Sequence, residues 1–343
     1  MRLAALLLTA AVAAALPAQA PHARIAFVAD QDRKPGIFVI NDDGTDLRRL
    51  TTGADSPPVW SPDGCRLVFR RGLDQFYVAT LDGKPERLVA RTNGDKPEND
   101  LRSFFSPDGS RMLIGANDSR FVLDLREEGV ADLRGRPDPV FTGYGVAWSP
   151  DGKRILFESR NSLHVINADG SGDITLGPGR LGAWTSQGSR VTFLTQEGPG
   201  TEPSFAIYKP SGAPVVTMTL PGKMPVVFAM SWNGDASRVA LIGTEDDAIA
   251  SSFSMYVMNA DGTGLKQLDN WLPFSRGQSI LPRPSWSPDG MRLTFSRAAS
   301  LPGAMTGPKF DIYTIDADGS HLTQLTHGGN NQTPVWSPTP TCK

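Results

Sequence analysis

Trp60-Ser61-Pro62-Asp63-Gly64 decides how the rest of the chain is read. Nearly the same five residues return as Phe105-Ser106-Pro107-Asp108-Gly109, Trp148-Ser149-Pro150-Asp151-Gly152 and Trp286-Ser287-Pro288-Asp289-Gly290. Weaker copies stand at Trp184-Thr185-Ser186-Gln187-Gly188 and Trp232-Asn233-Gly234-Asp235, and a last one closes the chain at Trp336-Ser337-Pro338. The aromatic positions 60, 105, 148, 184, 232, 286 and 336 are spaced by roughly 36 to 54 residues, the period of four-stranded propeller blades. A chain of 343 residues is ordinarily expected to hold two domains. The repeat overrides that expectation.

Working outward from each copy, the apolar pair ending in the aromatic reads as the innermost strand, a. Pro-Asp-Gly then turns the chain, because Pro presets φ and Gly accepts φ above zero. Strand b follows at once, as in Arg66-Leu67-Val68-Phe69, Arg154-Ile155-Leu156-Phe157 and Arg292-Leu293-Thr294-Phe295. Such near-continuous apolar runs suit strands buried on both faces. Strand c runs, for example, from Ile37 to Ile40, Leu163 to Ile166 and Ile312 to Ile315, and most copies end in an Asn/Asp-x-Asp-Gly turn such as Asn167-Ala168-Asp169-Gly170. Asp-Gly between apolar runs is a hairpin signal and leads into a short strand d.

The two ends complement each other. The first repeat begins with a strand b at Arg24 and lacks strand a, whereas the last ends with a strand a at Pro334 to Trp336 and lacks strand b. The expected fold is therefore an all-β propeller of seven four-stranded blades. Its ring closes when the C-terminal strand a joins N-terminal strands b, c and d, leaving no open sheet edge.

Trp-Ser-Pro-Asp-Gly, Arg-Ile-Ala-Phe and Ile-Phe-Val-Ile-Asn-x-Asp-Gly together resemble the repeat of the TolB-type, WD-like propeller family over roughly residues 22 to 338. The resemblance is to the TolB propeller without its preceding α/β domain, and that propeller has six blades where seven are counted here. It implies a periplasmic, protein-binding propeller of a cell-envelope assembly. No contact residue of that family transfers position by position.

Ahead of the repeats, Arg2 precedes an apolar and small-residue run from Leu3 to Leu16, then Pro17-Ala18-Gln19-Ala20. About 14 residues fall short of the roughly 20 that a membrane-crossing helix needs, so residues 1–20 read as a secretory signal peptide and 21–343 as a single propeller domain. The expected location is periplasmic or secreted, with no membrane span after cleavage. Lys plus Arg (34) nearly balances Asp plus Glu (36), so no net basic field draws nucleic acid. The expected partner is an envelope or periplasmic protein or peptide, and the chain is expected to be a monomer.

Catalytic constellations are sparse. No Gly-x-Ser-x-Gly elbow, His-Glu-x-x-His or Gly-rich phosphate loop occurs, and no catalytic residue, metal or cofactor is assigned. Oligogalacturonate lyase shares this type of repeat and builds a metal site from several histidines. Of the four histidines here, only His321 and His327 flank one strand. Asp316, Asp318 and Ser320 resemble the start of a calcium loop but lack its later ligands, so they read as hairpin chemistry. Two function classes stay open: a non-catalytic binding or scaffolding propeller, and a small-molecule enzyme, of lyase or lactonase type, acting at the central channel mouth.

The a-to-b and c-to-d turns lie on one face and read as short and uniform, while the b-to-c and d-to-a connections lie on the other and vary widely. Variable loops on a rigid scaffold are where binding resides. Within that set, Asp269 to Arg283 carries Trp271, Leu272, Phe274, Ile280 and Leu281 beside Arg276 and Arg283, the composition of interface hot spots. Folding of the same loop over the channel mouth is the other reading. The partner-binding set is Trp271, Phe274, Arg276 and Arg283, supported by Arg297 and Lys309. The only two cysteines, Cys65 and Cys342, occupy corresponding places after Trp60 and Trp336 in blades that ring closure makes neighbours, which points to a closing disulfide in an oxidising compartment.

Overall fold

The computed structural model describes residues 23–341 apart from 32–33, 54, 94–104, 117, 128, 135–137, 186, 196–203, 221–225, 245–251, 274–282, 299–308, 329 and 340. Seven antiparallel sheets follow one another as blades. In blade 1 the C-terminal strand a (Asn331–Trp336) pairs with strand b (Arg24–Gln31), followed outward by strands c (Lys34–Asn41) and d (Arg48–Arg49). Ile25 lies opposite Trp336 and Ala26 opposite Val335, so the two ends close the ring as expected. Blades 4 to 7 each contain four strands in the order a, b, c, d.

Two blades depart from the four-stranded expectation. In blade 3, strands b (Arg111–Ala116), c (Ser119–Asp124) and d (Phe141–Thr142) form the sheet, and an isolated bridge from Phe105 to Met112 stands where strand a belongs. Its c-to-d connection, residues 125–140, leaves the blade. Ala131–Asp132 pairs in parallel with strand d of blade 2 (Arg87–Arg91), giving that blade a fifth strand. Leu133 is buried there and its N–H donates to Arg91 O at 2.9 Å. The turn face is therefore not uniformly short. Burying Leu133 and covering an otherwise unpaired strand offset the entropy of a longer loop, which rises slowly with length.

The core lies between blades. Val68, Phe76 and Val78 of blade 2 pack with Met112, Ile114 and Phe121 of blade 3, and Ala26 and Val39 of blade 1 pack with Trp60, Leu67 and Phe69 of blade 2. Strand b of blade 2 (Arg66–Arg71) is buried at its four central residues, as an apolar run sandwiched between neighbouring sheets must be. The repeated Trp fills the wedge between blades and does more than fill it. Arg111 lies over the Trp148 ring at 4.8 Å, Arg154 over Trp184 at 5.1 Å and Arg238 over Trp286 at 5.4 Å, each guanidinium opening strand b of the preceding blade. Arg111 also donates to Gly152 O at 2.6 Å and Arg238 to Gly290 O at 2.5 Å, tying strand b to the a-to-b turn of the next blade. Cation–π attraction and a charge-assisted hydrogen bond thus staple blade 3 to blade 4 and blade 6 to blade 7.

Each Ser-Pro-Asp-Gly turn is closed from within. In blade 4, Ser149 Oγ accepts from Arg154 N at 2.8 Å and donates to Asp151 at 2.6 Å, while Asp151 accepts Lys153 N at 3.0 Å. The same pattern holds Asp108, whose hydrogen bonds from Ser106 and Ser110 bring its carboxyl down to about 2. These aspartates are charged turn formers.

Candidate functional site: a cleft between blades 4 and 5

On the face that carries the b-to-c and d-to-a connections, blade 4 has very short ones. Its strands b (Arg154–Ser159) and c (Ser162–Asn167) are joined by Arg160 and Asn161 alone, both left-handed with φ of 49° and 63°. Two successive positive φ values are what a tight two-residue hairpin with the right twist requires. Asn tolerates this readily and Arg does not. Single residues make the d-to-a corners: Gly143 ahead of strand a of blade 4 (Tyr144–Trp148) and Gly179 ahead of strand a of blade 5 (Arg180–Trp184). A Cβ on Gly143 would stand 2.4 Å from Glu158 O, and one on Gly179 2.5 Å from Phe193 Cδ2. Only glycine permits corners this close. Gly143 N donates to Asp118 O at 2.8 Å and Gly179 N to Asn161 O at 3.1 Å, which pins both corners.

The result is a cleft of about 570 Å³ lined by Tyr144, Glu158, Arg160, Asn161, Arg180 and Thr195, among others. Its walls are positioned by β-bulges in strand a of both blades, between Tyr144 and Ala147 and between Arg180 and Ala183. Bulges re-aim side chains at sheet rims. At the second bulge Leu181 takes φ 55°, and its N–H donates to Glu158 Oε1 at 2.6 Å, so Glu158 spans the two blades. Tyr144 is 48% exposed, and its hydroxyl donates to Asp118, a bond that raises the phenol above its ordinary range. Beneath the ring lies the guanidinium of the buried Arg120, 5.6 Å from its centroid. Burial draws Arg120 down to about 10, so it stays cationic at neutral pH. Arg160 and Arg180 are exposed, and neither has a carboxylate partner among the described residues. The cleft thus offers two exposed cations, without a carboxylate partner among the described residues, beside an exposed aromatic that is held in place from below.

The described residues of the set expected from sequence do not line this cleft. Trp271 and Leu272 belong to strand d of blade 6 (Lys266–Pro273), where Leu272 pairs with Phe253, so the stretch from Asp269 is strand before it is loop. Phe274 and Arg276 lie outside the described residues, as do Ile280 and Leu281. Arg283 is half-buried just before strand a of blade 7, and Lys309 is exposed just before strand c. Arg297 belongs to strand b of blade 7 (Arg292–Ala298), opposite Asp311, and not to the loop that follows it. Its guanidinium is 3.5 Å from the buried Asp269 carboxylate and stacks over the Tyr313 ring at 5.6 Å. Arg297 and Asp269 are therefore brought together, while the cleft residues are ones the sequence reading passed over. The signal for them was the brevity of Ser159-Arg160-Asn161-Ser162 between two strands, flanked by Gly143 and Gly179.

Cys65 is disulfide-bonded, and Thr341 N donates to Asp63 O at 3.0 Å beside it, while Cys342 lies outside the described residues. The signal segment 1–20 lies outside them as well. Asp316 accepts from His321 Nδ1 at 2.7 Å and Asp318 accepts both the N–H and the hydroxyl of Ser320, so these oxygens serve the hairpin. Among the described residues no three His, Cys, Asp or Glu side chains gather closely enough to hold a metal ion.

No family model matches the chain. Among solved structures it is similar to TolB from Acinetobacter baumannii at 15% identity, covering 92% of this chain and 67% of that one with a TM-score of 0.55. An oligogalacturonate lyase in complex with manganese matches at 15% identity over 89% of this chain and 86% of that one, TM-score 0.64. A putative TolB from Agrobacterium tumefaciens matches at 17% identity over 79% and 96%, TM-score 0.53. At these identities the likeness establishes the fold, a seven-bladed propeller distantly similar to both kinds of protein, and nothing about activity.

Proposed function

We propose that this chain is an exported, non-catalytic binding propeller of the TolB-like kind, capturing a protein or peptide of the cell envelope on the face that carries the blade 4–5 cleft. The observation that carries the reading is the pair of exposed arginines, Arg160 and Arg180, without a carboxylate partner among the described residues and set beside Tyr144 in a concavity built on sheet. Arg and Tyr are the residues that dominate interface energetics when a partner desolvates them. Keeping Arg160 at a left-handed position costs stability that Gly or Asn would spare, and such strain gathers at functional sites. Export rests on the run from Leu3 to Leu16. Trp271, Phe274, Arg276, Arg283 and Lys309 supply the outer part of the contact surface in this reading, and Arg297, paired with Asp269, supports it without bonding the partner.

The test is affinity capture from an envelope fraction by the mature protein. Arg160→Ala with Arg180→Ala should lose the captured partner while the melting temperature stays unchanged. Asp169→Ala and Asp261→Ala on the opposite face should retain it. Capture that survives loss of both arginines, or turnover of an oligogalacturonate by the purified protein, would replace this reading with the other.

A further inference from the structure

The opposite face holds a second concavity that the first reading does not use, and it lies where the repeat breaks its own rule. Elsewhere the turns of that face carry aspartates, such as Asp151, Asp235 and Asp289 in a-to-b turns and Asp169, Asp261 and Asp318 in c-to-d turns. Neighbouring hydroxyls and N–H groups hold most of these carboxyls below their ordinary range, with burial opposing this most at Asp289. Most turns of this face thus carry an ionised carboxylate, several of them beside a cation.

Blade 5 lacks both turn carboxylates. Gln187 stands where the a-to-b turn has Asp, and Lys209-Pro210-Ser211-Gly212 replaces Asn-x-Asp-Gly in the c-to-d turn. The turns still close, with Gly188 N donating to Thr185 O at 2.8 Å and Gly212 N to Lys209 O at 2.9 Å. The backbone is therefore conserved across the blades while the charge is inverted in one of them. Between these two turns lies a cleft of about 500 Å³ lined by Arg154, Arg190, Lys209, Ser189, Ser211 and Val215, with no carboxylate in its lining.

The cations there have unspent donors. Arg154 sits over Trp184 as its counterparts sit over their tryptophans, but where Arg111 and Arg238 also bond the next turn, Arg154 makes no side-chain hydrogen bond among the described residues. Arg190 and Lys209 are exposed and have no acidic partner among the described residues. Val215, 40% exposed, adds an apolar surface beside them. We infer that this blade 5 cleft on the turn face is a binding site for an acidic peptide segment, whose carboxylates meet Arg154, Arg190 and Lys209 and whose apolar side chain rests on Val215. The aspartates in the turns of the flanking blades, such as Asp151, Asp169 and Asp261, disfavour the same peptide there and so help to fix where it docks.

A fluorescein-labelled dodecapeptide alternating Glu and Leu serves as the probe, with anisotropy as the readout. The mature protein should bind it, and raising the salt concentration should weaken it. Arg190→Glu with Lys209→Glu should weaken it by about tenfold or more, a loss of the size expected when charge attraction becomes repulsion. Gln187→Asp, which restores the repeat's own turn residue and therefore folds, should weaken it several-fold at unchanged melting temperature. Arg160→Ala with Arg180→Ala should leave it unchanged, which separates this site from the cleft on the other face. The inference is overturned by any of four results: no binding to the native protein, unchanged affinity after the charge reversals, equal affinity for a Lys-Leu peptide, or adsorption of phosphatidylglycerol vesicles in place of the peptide.

Discussion

The face that carries the b-to-c and d-to-a connections has two unlike halves. On the blade 6 and 7 side the connections are long in sequence, and Arg297 of strand b is locked between Asp269 and Tyr313. At blade 4 the connections shrink to Arg160-Asn161 and to single glycines, and the arginines beside them have no carboxylate partner among the described residues. Long loops are usually taken as the site of binding because they vary. Here the concavity comes from brevity: tight corners leave their side chains facing solvent. An ion pair spent on structure is unavailable to a partner.

The largest effect that separates the two halves is expected at Asp269. Asp269→Ala leaves Arg297, a quarter exposed, without its counter-charge and should cost about 2 kcal/mol in chemical denaturation. Envelope capture by the folded fraction should stay intact. If capture is lost while the protein remains folded, the Arg297–Asp269 pair contacts the partner directly and its structural role is wrong.

Gly179→Ala comes next. The new methyl would meet Phe193 Cδ2 at 2.5 Å and Leu194 O at 2.9 Å, an overpacking that costs about 1 to 3 kcal/mol and pushes the corner carrying Arg180 outward. Gly83→Ala, where nothing stands within 4 Å but φ is +78°, provides the control for conformational strain alone. Equal losses in both would mean that the blade 4–5 corner is no tighter than an ordinary turn.

Much of this molecule is legible in its sequence, for identifiable reasons. Trp-Ser-Pro-Asp-Gly needs each of its residues: the ring for the wedge and for Arg, Ser and Asp to close the turn, Gly for positive φ. Chemistry so constrained repeats visibly. Ring closure was readable because Arg24 opens with a strand b and Trp336 ends with a strand a. The excursion of residues 125–140 was not readable, since Ala131–Asp132 pairs with a neighbouring blade and carries no repeat of its own. The cleft was missed for a different reason. Arg160 in a left-handed turn contradicts the residue preferences by which such turns are recognised, and Arg180 opens a strand a without any motif. Attention to the apolar stretch after Asp269 was drawn by composition, and two of its apolar residues proved to be strand.

The turn aspartates also make a pH prediction. Asp108 is held at about 2, against an ordinary value of 3.8, by hydrogen bonds from Ser106 and Ser110. A carboxyl whose folded value lies below its unfolded one contributes fully above the unfolded value and loses that contribution as the pH falls through the folded one. Stability should therefore hold down to about pH 4 and decline between about 4 and 2. Asp108→Asn should flatten that decline, as measured by denaturant midpoints across this range. A decline centred instead near pH 6 would assign acid sensitivity to histidine.

The smallest effect has the most telling sign. Arg160→Gly relieves the left-handed strain and should raise stability by about 0.5 to 1 kcal/mol while weakening capture. A variant that is both less stable and capture-competent would remove the argument that strain is kept there for binding.

The most direct measurement places a photo-cross-linking residue at Asn161, which lines the cleft with Arg160 and Arg180, and another at Asp261 on the opposite face, in cells that export the protein. The account predicts a discrete cross-linked envelope protein from position 161 and none from position 261. A cross-link from 261 with none from 161 would contradict it.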